Sequence, residues 1–106
     1  MRFSHKYSAK KTIIDGITFP SKKQAHRYVG LKLLEKGGII QNLEMEVLFE
    51  LTAHNVKICK YYADFVYTEN DRKIIEDVKG MRTPVFNLKW KLLKAQFGDA
   101  YVYRIT

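Results

Sequence analysis

Apolar residues along this chain recur at either a two-residue or a three-to-four-residue spacing, and the changes of period divide it into elements. Thr12-Ile13-Ile14 and Ile17-Thr18-Phe19 are β-branched or aromatic arms around Asp15-Gly16, a pair suited to the positive φ angles of a type I′ turn. This segment predicts a hairpin. Ser21, after Pro20, is the N-cap of a helix predicted to run to about Lys36, with Ala25, Tyr28, Val29, Leu31, Leu33 and Leu34 as its apolar face and Gly37-Gly38 as its stop. From Ile39 to Leu51 the period shortens. Leu43, Met45, Val47 and Phe49 alternate with Glu44, Glu46, Leu48 and Glu50, which predicts a strand with one buried face and one mostly acidic face.

A turn at His54-Asn55 leads to a second strand over Val56 to Tyr67, and a polar turn over Thr68 to Arg72 leads to a third over Lys73 to Lys79. After a loop at Gly80 to Thr83, Pro84 opens a second helix to about Phe97, with Val85, Leu88, Leu92 and Leu93 at apolar positions. Gly98 ends it, and Ala100 to Ile105 reads as a closing strand. The predicted fold class is α/β in a single domain over residues 1–106, with a basic arm at about 1–10 and neither repeats nor low-complexity tracts.

Composition supports a folded globule: 46% of the 106 residues are hydrophobic and 13% aromatic. The lone Cys59 has no partner for an internal disulfide and reads as a small strand residue rather than a nucleophile. The chain opens on charged residues without an apolar leader, and no run approaches the roughly 18 apolar residues of a membrane span. A soluble, intracellular protein is expected. Nineteen Lys and Arg against eleven Asp and Glu give a net charge of +8, which favours a nucleic-acid partner over a surplus of Lys that merely aids solubility. Basic residues crowd the start and both helices, whereas most acids lie between them.

Those acids hold the candidate chemistry. Asp64 interrupts an aromatic strand (Tyr61, Tyr62, Phe65, Tyr67), a placement that requires a cation, a hydrogen-bond network or an exposed edge. In Ile74-Ile75-Glu76-Asp77-Val78-Lys79-Gly80, alternation puts Ile75, Asp77 and Lys79 on one face and Ile74, Glu76 and Val78 on the other. An Asp-x-Lys triplet by itself is common and suits an ordinary charged face. Paired as a hairpin, the two strands set Asp64 beside Asp77 with Lys79 one step along, a Mg²⁺ site next to a positive charge. Gly80 is expected to let a backbone or a phosphate approach.

Together these residues resemble the PD-(D/E)XK nuclease superfamily. More narrowly, the chain is similar to a small phage-associated family within it, known as a domain of unknown function and related to Holliday-junction-resolving nucleases. The resemblance spans nearly the whole chain. It rests on Asp15-Gly16-Ile17-x-Phe19-x-Ser21-Lys22-Lys23, on Arg27-Tyr28 and Leu31-Lys32-Leu33-Leu34-Glu35, on Tyr62-Ala63-Asp64-Phe65-x-Tyr67, and on Asp77-Val78-Lys79-Gly80 followed by Thr83 and Lys89. It implies a restriction-endonuclease-like α-β-β-β-α-β core, a mixed central sheet flanked by helices behind the N-terminal hairpin. It also implies Asp64 and Asp77 as metal ligands with the Val78 carbonyl, Mg²⁺ as cofactor with Mn²⁺ as substitute, and Lys79 as the residue that orients or activates the attacking water.

The chain departs from that pattern at Gln24, where many relatives carry Glu. Gln keeps a carbonyl oxygen and loses the charge. Three readings follow: the site accepts Gln24 with Glu44 or Glu46 compensating, the chain binds without cutting, or Gln24 is an engineered isosteric change. Lys22, Lys23, Arg27, Arg82, Lys89 and Lys91 are the expected phosphate contacts, each equally readable as a solvated surface charge. Trp90 reads as a core or interface residue before a base-stacking one, and His5, His26 and His54 lack zinc-ligand spacing. The expected function is a metal-dependent endonuclease selective for branched or junction DNA, acting as a homodimer in the cytoplasm of a phage-infected or lysogenic bacterial host. A non-catalytic nucleic-acid-binding protein of the same fold is the alternative.

Overall fold

A computed structural model describes residues 11–106. The N-terminal arm at about 1–10, with His5, lies outside them. The fold is α/β: a two-stranded hairpin, a mixed four-stranded sheet and two helices.

Strands β1 (Thr12–Ile14) and β2 (Ile17–Phe19) pair antiparallel around Asp15 (φ 54°) and Gly16 (φ 74°), the two positive angles that a type I′ turn requires. Helix α1 (Lys22–Lys36) is capped by Ser21, whose hydroxyl accepts the Gln24 N–H at 3.1 Å. Strands β3 (Ile40–Ala53), β4 (Val56–Glu69) and β5 (Arg72–Asp77) form an antiparallel meander. Helix α2 (Pro84–Phe97) starts at the Thr83 cap and crosses over to β6 (Val102–Ile105), which pairs parallel with β5. The sheet order is β3-β4-β5-β6, so β5 is an inner strand.

A helix covers each face. One core packs Phe49, Leu51, Tyr61, Ala63, Val66 and Ile75 against Phe86, Trp90 and Leu93 of α2. The other packs Ile40, Phe65, Tyr67 and Ile74 against Phe19 and against Ala25, Tyr28 and Leu31 of α1. Cys59 is half-buried against the first core.

Several expectations are corrected. On α2 the buried stripe is Phe86, Trp90 and Leu93, leaving Val85 and Leu88 in solvent at 62% and 60% exposure. Both stripes have helical spacing, and the sheet takes the one with larger aromatic area. On α1, Val29 and Leu33 are exposed and Gln24 is buried instead. The strand expected to reach Lys79 ends at Asp77.

A fourth correction concerns β3, expected to show one apolar face. Val47, Phe49 and Leu51 join the α2 core, whereas Leu43 and Met45 join the α1 core. Strand β4 does the same: Tyr61 and Ala63 lie with α2, Phe65 and Tyr67 with α1. A regular strand keeps residues i and i+2 on one side, so both strands change phase. The change falls between the pairs Val47↔Ala63 and Met45↔Phe65, at Glu46 and Asp64. Glu46 adopts φ 52°, a left-handed angle that breaks the alternation.

Candidate metal and phosphate site

Strand β5 is covered on both faces, and its residues Ile74, Ile75, Glu76 and Asp77 are all buried. Two of these four are carboxylates, pointing to opposite sides as successive strand residues must. Each needs its own source of hydrogen bonds or positive charge.

Glu76 faces α1. Arg27 reaches it with two hydrogen bonds, Nε to Oε2 at 2.5 Å and Nη2 to Oε1 at 2.9 Å. The Tyr67 hydroxyl donates to Oε1 and the Thr106 hydroxyl to Oε2. Burial raises the Glu76 pKa, but these donors outweigh it and hold the carboxyl below its ordinary range. The same contact pushes the Arg27 guanidinium further into its charged form. Arg27, one of the expected phosphate contacts, is half-buried and paired here with Glu76, a partner 49 residues away that local spacing does not reveal.

Asp77 faces the α2 side, next to Asp64. The ladder between β4 and β5 ends at Phe65↔Glu76, and side chains replace it one step further on. Asp64 N–H donates to Asp77 Oδ1 at 3.3 Å, and Val78 N–H donates to Asp64 Oδ2 at 2.8 Å. Asp77 Oδ2 is buried and accepts no hydrogen bond among the described residues. Lys79 Nζ stands 3.1 Å from it, close enough for an ion pair but not aligned as a hydrogen bond. Burial is the main cause that pushes the Asp64 carboxyl up to about 7; the Val78 N–H opposes it and the charge of Asp77 adds to it.

Lys79 is held from several directions. Its ammonium lies 4.5 Å above the centre of the Phe86 ring, a cation–π contact. Its N–H donates to the Thr106 carbonyl at 2.9 Å, and its carbonyl accepts Lys23 Nζ at 2.9 Å. The start of α1 reaches the site through Lys23 and the start of α2 through Phe86. Neither helix has an acid in its first turn, so no carboxylate there offsets its positive dipole end.

The structure thus brings together Asp64, Asp77, Val78 and Lys79, with Lys23 at the edge. Lys22, Arg82 and Lys91 are exposed and Lys89 is half-exposed, as phosphate contacts must be. A Cβ built at Gly80 would meet nothing within 4 Å, so no neighbour in the fold demands glycine there and the space beside it is open. Gln24 is buried and lines a cavity of about 80 Å³ with Phe19, Met45 and Glu46, and among the described residues its side chain makes no hydrogen bond to Asp64 or Asp77. Among the described residues no group of three or more His, Cys, Asp or Glu side chains is placed to hold a metal ion together.

The donor set suits a hard divalent cation. Mg²⁺ is usually bound by one or two carboxylates, with water and substrate oxygens completing its shell. A buried Asp77 oxygen without a donor, beside a second carboxylate that burial holds near neutrality, is a place where such a cation relieves both penalties.

No helix among the described residues is long and apolar enough to cross a membrane. No curated protein and no solved structure matches this chain. A family model does match, over residues 4–106, and the chain accordingly belongs to the family described as "Protein of unknown function (DUF1064)".

Proposed function

We propose that the protein is a Mg²⁺-dependent endonuclease, with branched or four-way-junction DNA as its substrate. The carrying observation is the clasped pair Asp64 and Asp77 with the Lys79 ammonium against Asp77 Oδ2. Asp64 and Asp77 would hold the cation, and the restriction-endonuclease-like core implied by the resemblance adds the Val78 carbonyl. Bound there, the cation supplies Lewis acidity toward the phosphate and lowers the pKa of attacking water. Lys79 places a fixed positive charge where the phosphate gathers negative charge during attack, and its seat on Phe86 keeps that charge in position. Lys22, Lys23, Arg82, Lys89 and Lys91 supply the salt-sensitive hold on the backbone. A four-way junction has two-fold character, so paired cuts call for two copies of the chain, a homodimer.

Cleavage of labelled four-way junction, duplex and single-stranded DNA, with Mg²⁺ or with EDTA, tests the proposal. Cutting of the junction that needs metal and disappears in Asp77→Asn is the expected result. Cutting in EDTA, or an Asp77→Asn protein as active as wild type, overturns it.

Gln24 favours a second reading. Where the resembling nucleases carry Glu, this chain has a neutral, buried side chain that supplies no charge to the carboxylate site. A binding-only protein would hold DNA in a salt-dependent way and cut nothing, even after Gln24→Glu.

A further inference from the structure

Among the described residues, two buried side-chain polar atoms lack a hydrogen-bond partner: Asp77 Oδ2 and the Tyr61 hydroxyl. Burying a hydroxyl or a carboxylate oxygen without a partner is costly, and such atoms are few in native folds. That both occur at one site calls for a physical reason.

A row of contacts connects them. Tyr61 is 5% exposed and stands edge-on to Trp90, ring centres 6.1 Å apart. Trp90 stacks on Phe86 at 5.5 Å, Phe86 underlies the Lys79 ammonium, and that ammonium lies 3.1 Å from Asp77 Oδ2. The phenol and the carboxylate therefore stand at the two ends of one row of contacts on the α2 side of the site. Burial, then the charge and the side-chain proximity of Asp77, and last the charge of Asp64 act on the Tyr61 hydroxyl, which sets it within reach of that carboxylate, and a phenol carries its proton at ordinary pH and can donate. Phenylalanine would fill the same core space without leaving a hydroxyl buried, so packing alone gives no reason for the oxygen.

We infer that Tyr61 is a positioning residue of the carboxylate site, its hydroxyl turning to donate to Asp77 Oδ2 when a divalent cation is held there and fixing that carboxylate for it. The inference rests on the metal-dependent reading above and adds a residue to it. Carboxylates that bind metals are themselves hydrogen-bonded, and removing such an outer partner weakens metal affinity by about 10–100-fold. A hydroxyl that served only the core would have no such effect.

The test is Mn²⁺ binding by Tyr61→Phe, read from the electron paramagnetic resonance of free Mn²⁺, beside thermal unfolding of the metal-free proteins. The variant is expected to keep the metal-free melting temperature or raise it, because it deletes an unsatisfied hydroxyl, and to bind Mn²⁺ about 10–100-fold more weakly. Equal Mn²⁺ affinity in variant and wild type overturns this inference and leaves the metal site standing. Failure of the wild type to bind Mn²⁺ overturns both. A second measurement needs no variant: in ring-labelled wild-type protein, the Tyr61 hydroxyl proton becomes slow to exchange when Mg²⁺ is added. An unchanged exchange rate overturns the inference even if Tyr61→Phe does not fold.

Discussion

Arg27 and Glu76 form a buried ion pair between α1 and the inner strand β5, with the carboxylate fully enclosed and the guanidinium side chain 29% exposed. Glu76 precedes Asp77 in the chain and faces the other way, so the pair clamps the strand end from behind the candidate metal site.

Removing Arg27 leaves the buried Glu76 carboxylate with only the neutral hydroxyls of Tyr67 and Thr106 as partners. Arg27→Ala is expected to cost about 3–5 kcal/mol in chemical denaturation, and Glu76→Gln in the same background to restore part of it. If Arg27→Ala unfolds like wild type and only DNA binding weakens, the clamp is not what holds the strand.

A neutral residue at Asp64 removes the conflict between this half-buried carboxylate and the buried one of Asp77. Asp64→Asn is therefore expected to melt higher than wild type without metal and to lose the rise in melting temperature that Mn²⁺ gives. At metal concentrations about 100 times the dissociation constant, that rise corresponds to about 2.7 kcal/mol. Scanning calorimetry with and without Mn²⁺ checks both halves.

Binding of DNA should depend on salt through the exposed basic set. Single alanine variants at Lys22, Arg82 and Lys91 are each expected to reduce the slope of log K against log salt by about 1, at every DNA sequence alike. Slopes unchanged across all three place the DNA surface elsewhere.

Glu35 gives a prediction in pH. Its carboxylate accepts the Leu43 N–H at 3.0 Å, and this bond is the main cause holding its pKa below the ordinary value. A depressed carboxyl stabilises the fold above its unfolded pKa and loses that contribution as pH falls through the lower, folded value. Below about pH 4.3, the ordinary Glu value, wild type should therefore lose stability more steeply than Glu35→Gln. Urea midpoints over an acid pH series compare the two.

The turns and helix ends were legible because each has its own local chemistry. Asp15-Gly16 supplies two positive φ angles, Ser21 and Thr83 cap helices, Pro84 begins one, and Gly98 at φ 50° closes it. The nearness of Asp64 and Asp77 was also within reach, since a short turn between alternating strands sets their register. The face that α2 buries was not, because Val85 and Leu88 keep the same helical spacing as Phe86 and Trp90. Nor was the change of phase at Glu46. A two-residue period assumes extended backbone throughout, and one residue at φ 52° defeats it without any mark in the apolar pattern. Tyr61 escaped notice as a site residue because an aromatic amid aromatics reads as core, which it also is.

That change of phase has a consequence for how disturbance reaches the carboxylates. On one side of Asp64 stands Ala63, seated in the core beneath α2; on the other stands Phe65, seated in the core beneath α1. The candidate site therefore sits on a seam shared by two separately packed hydrophobic compartments. Loosening either compartment tilts one flank of Asp64 while the other stays fixed, so the separation of the two carboxylates registers the difference between the cores rather than the firmness of either.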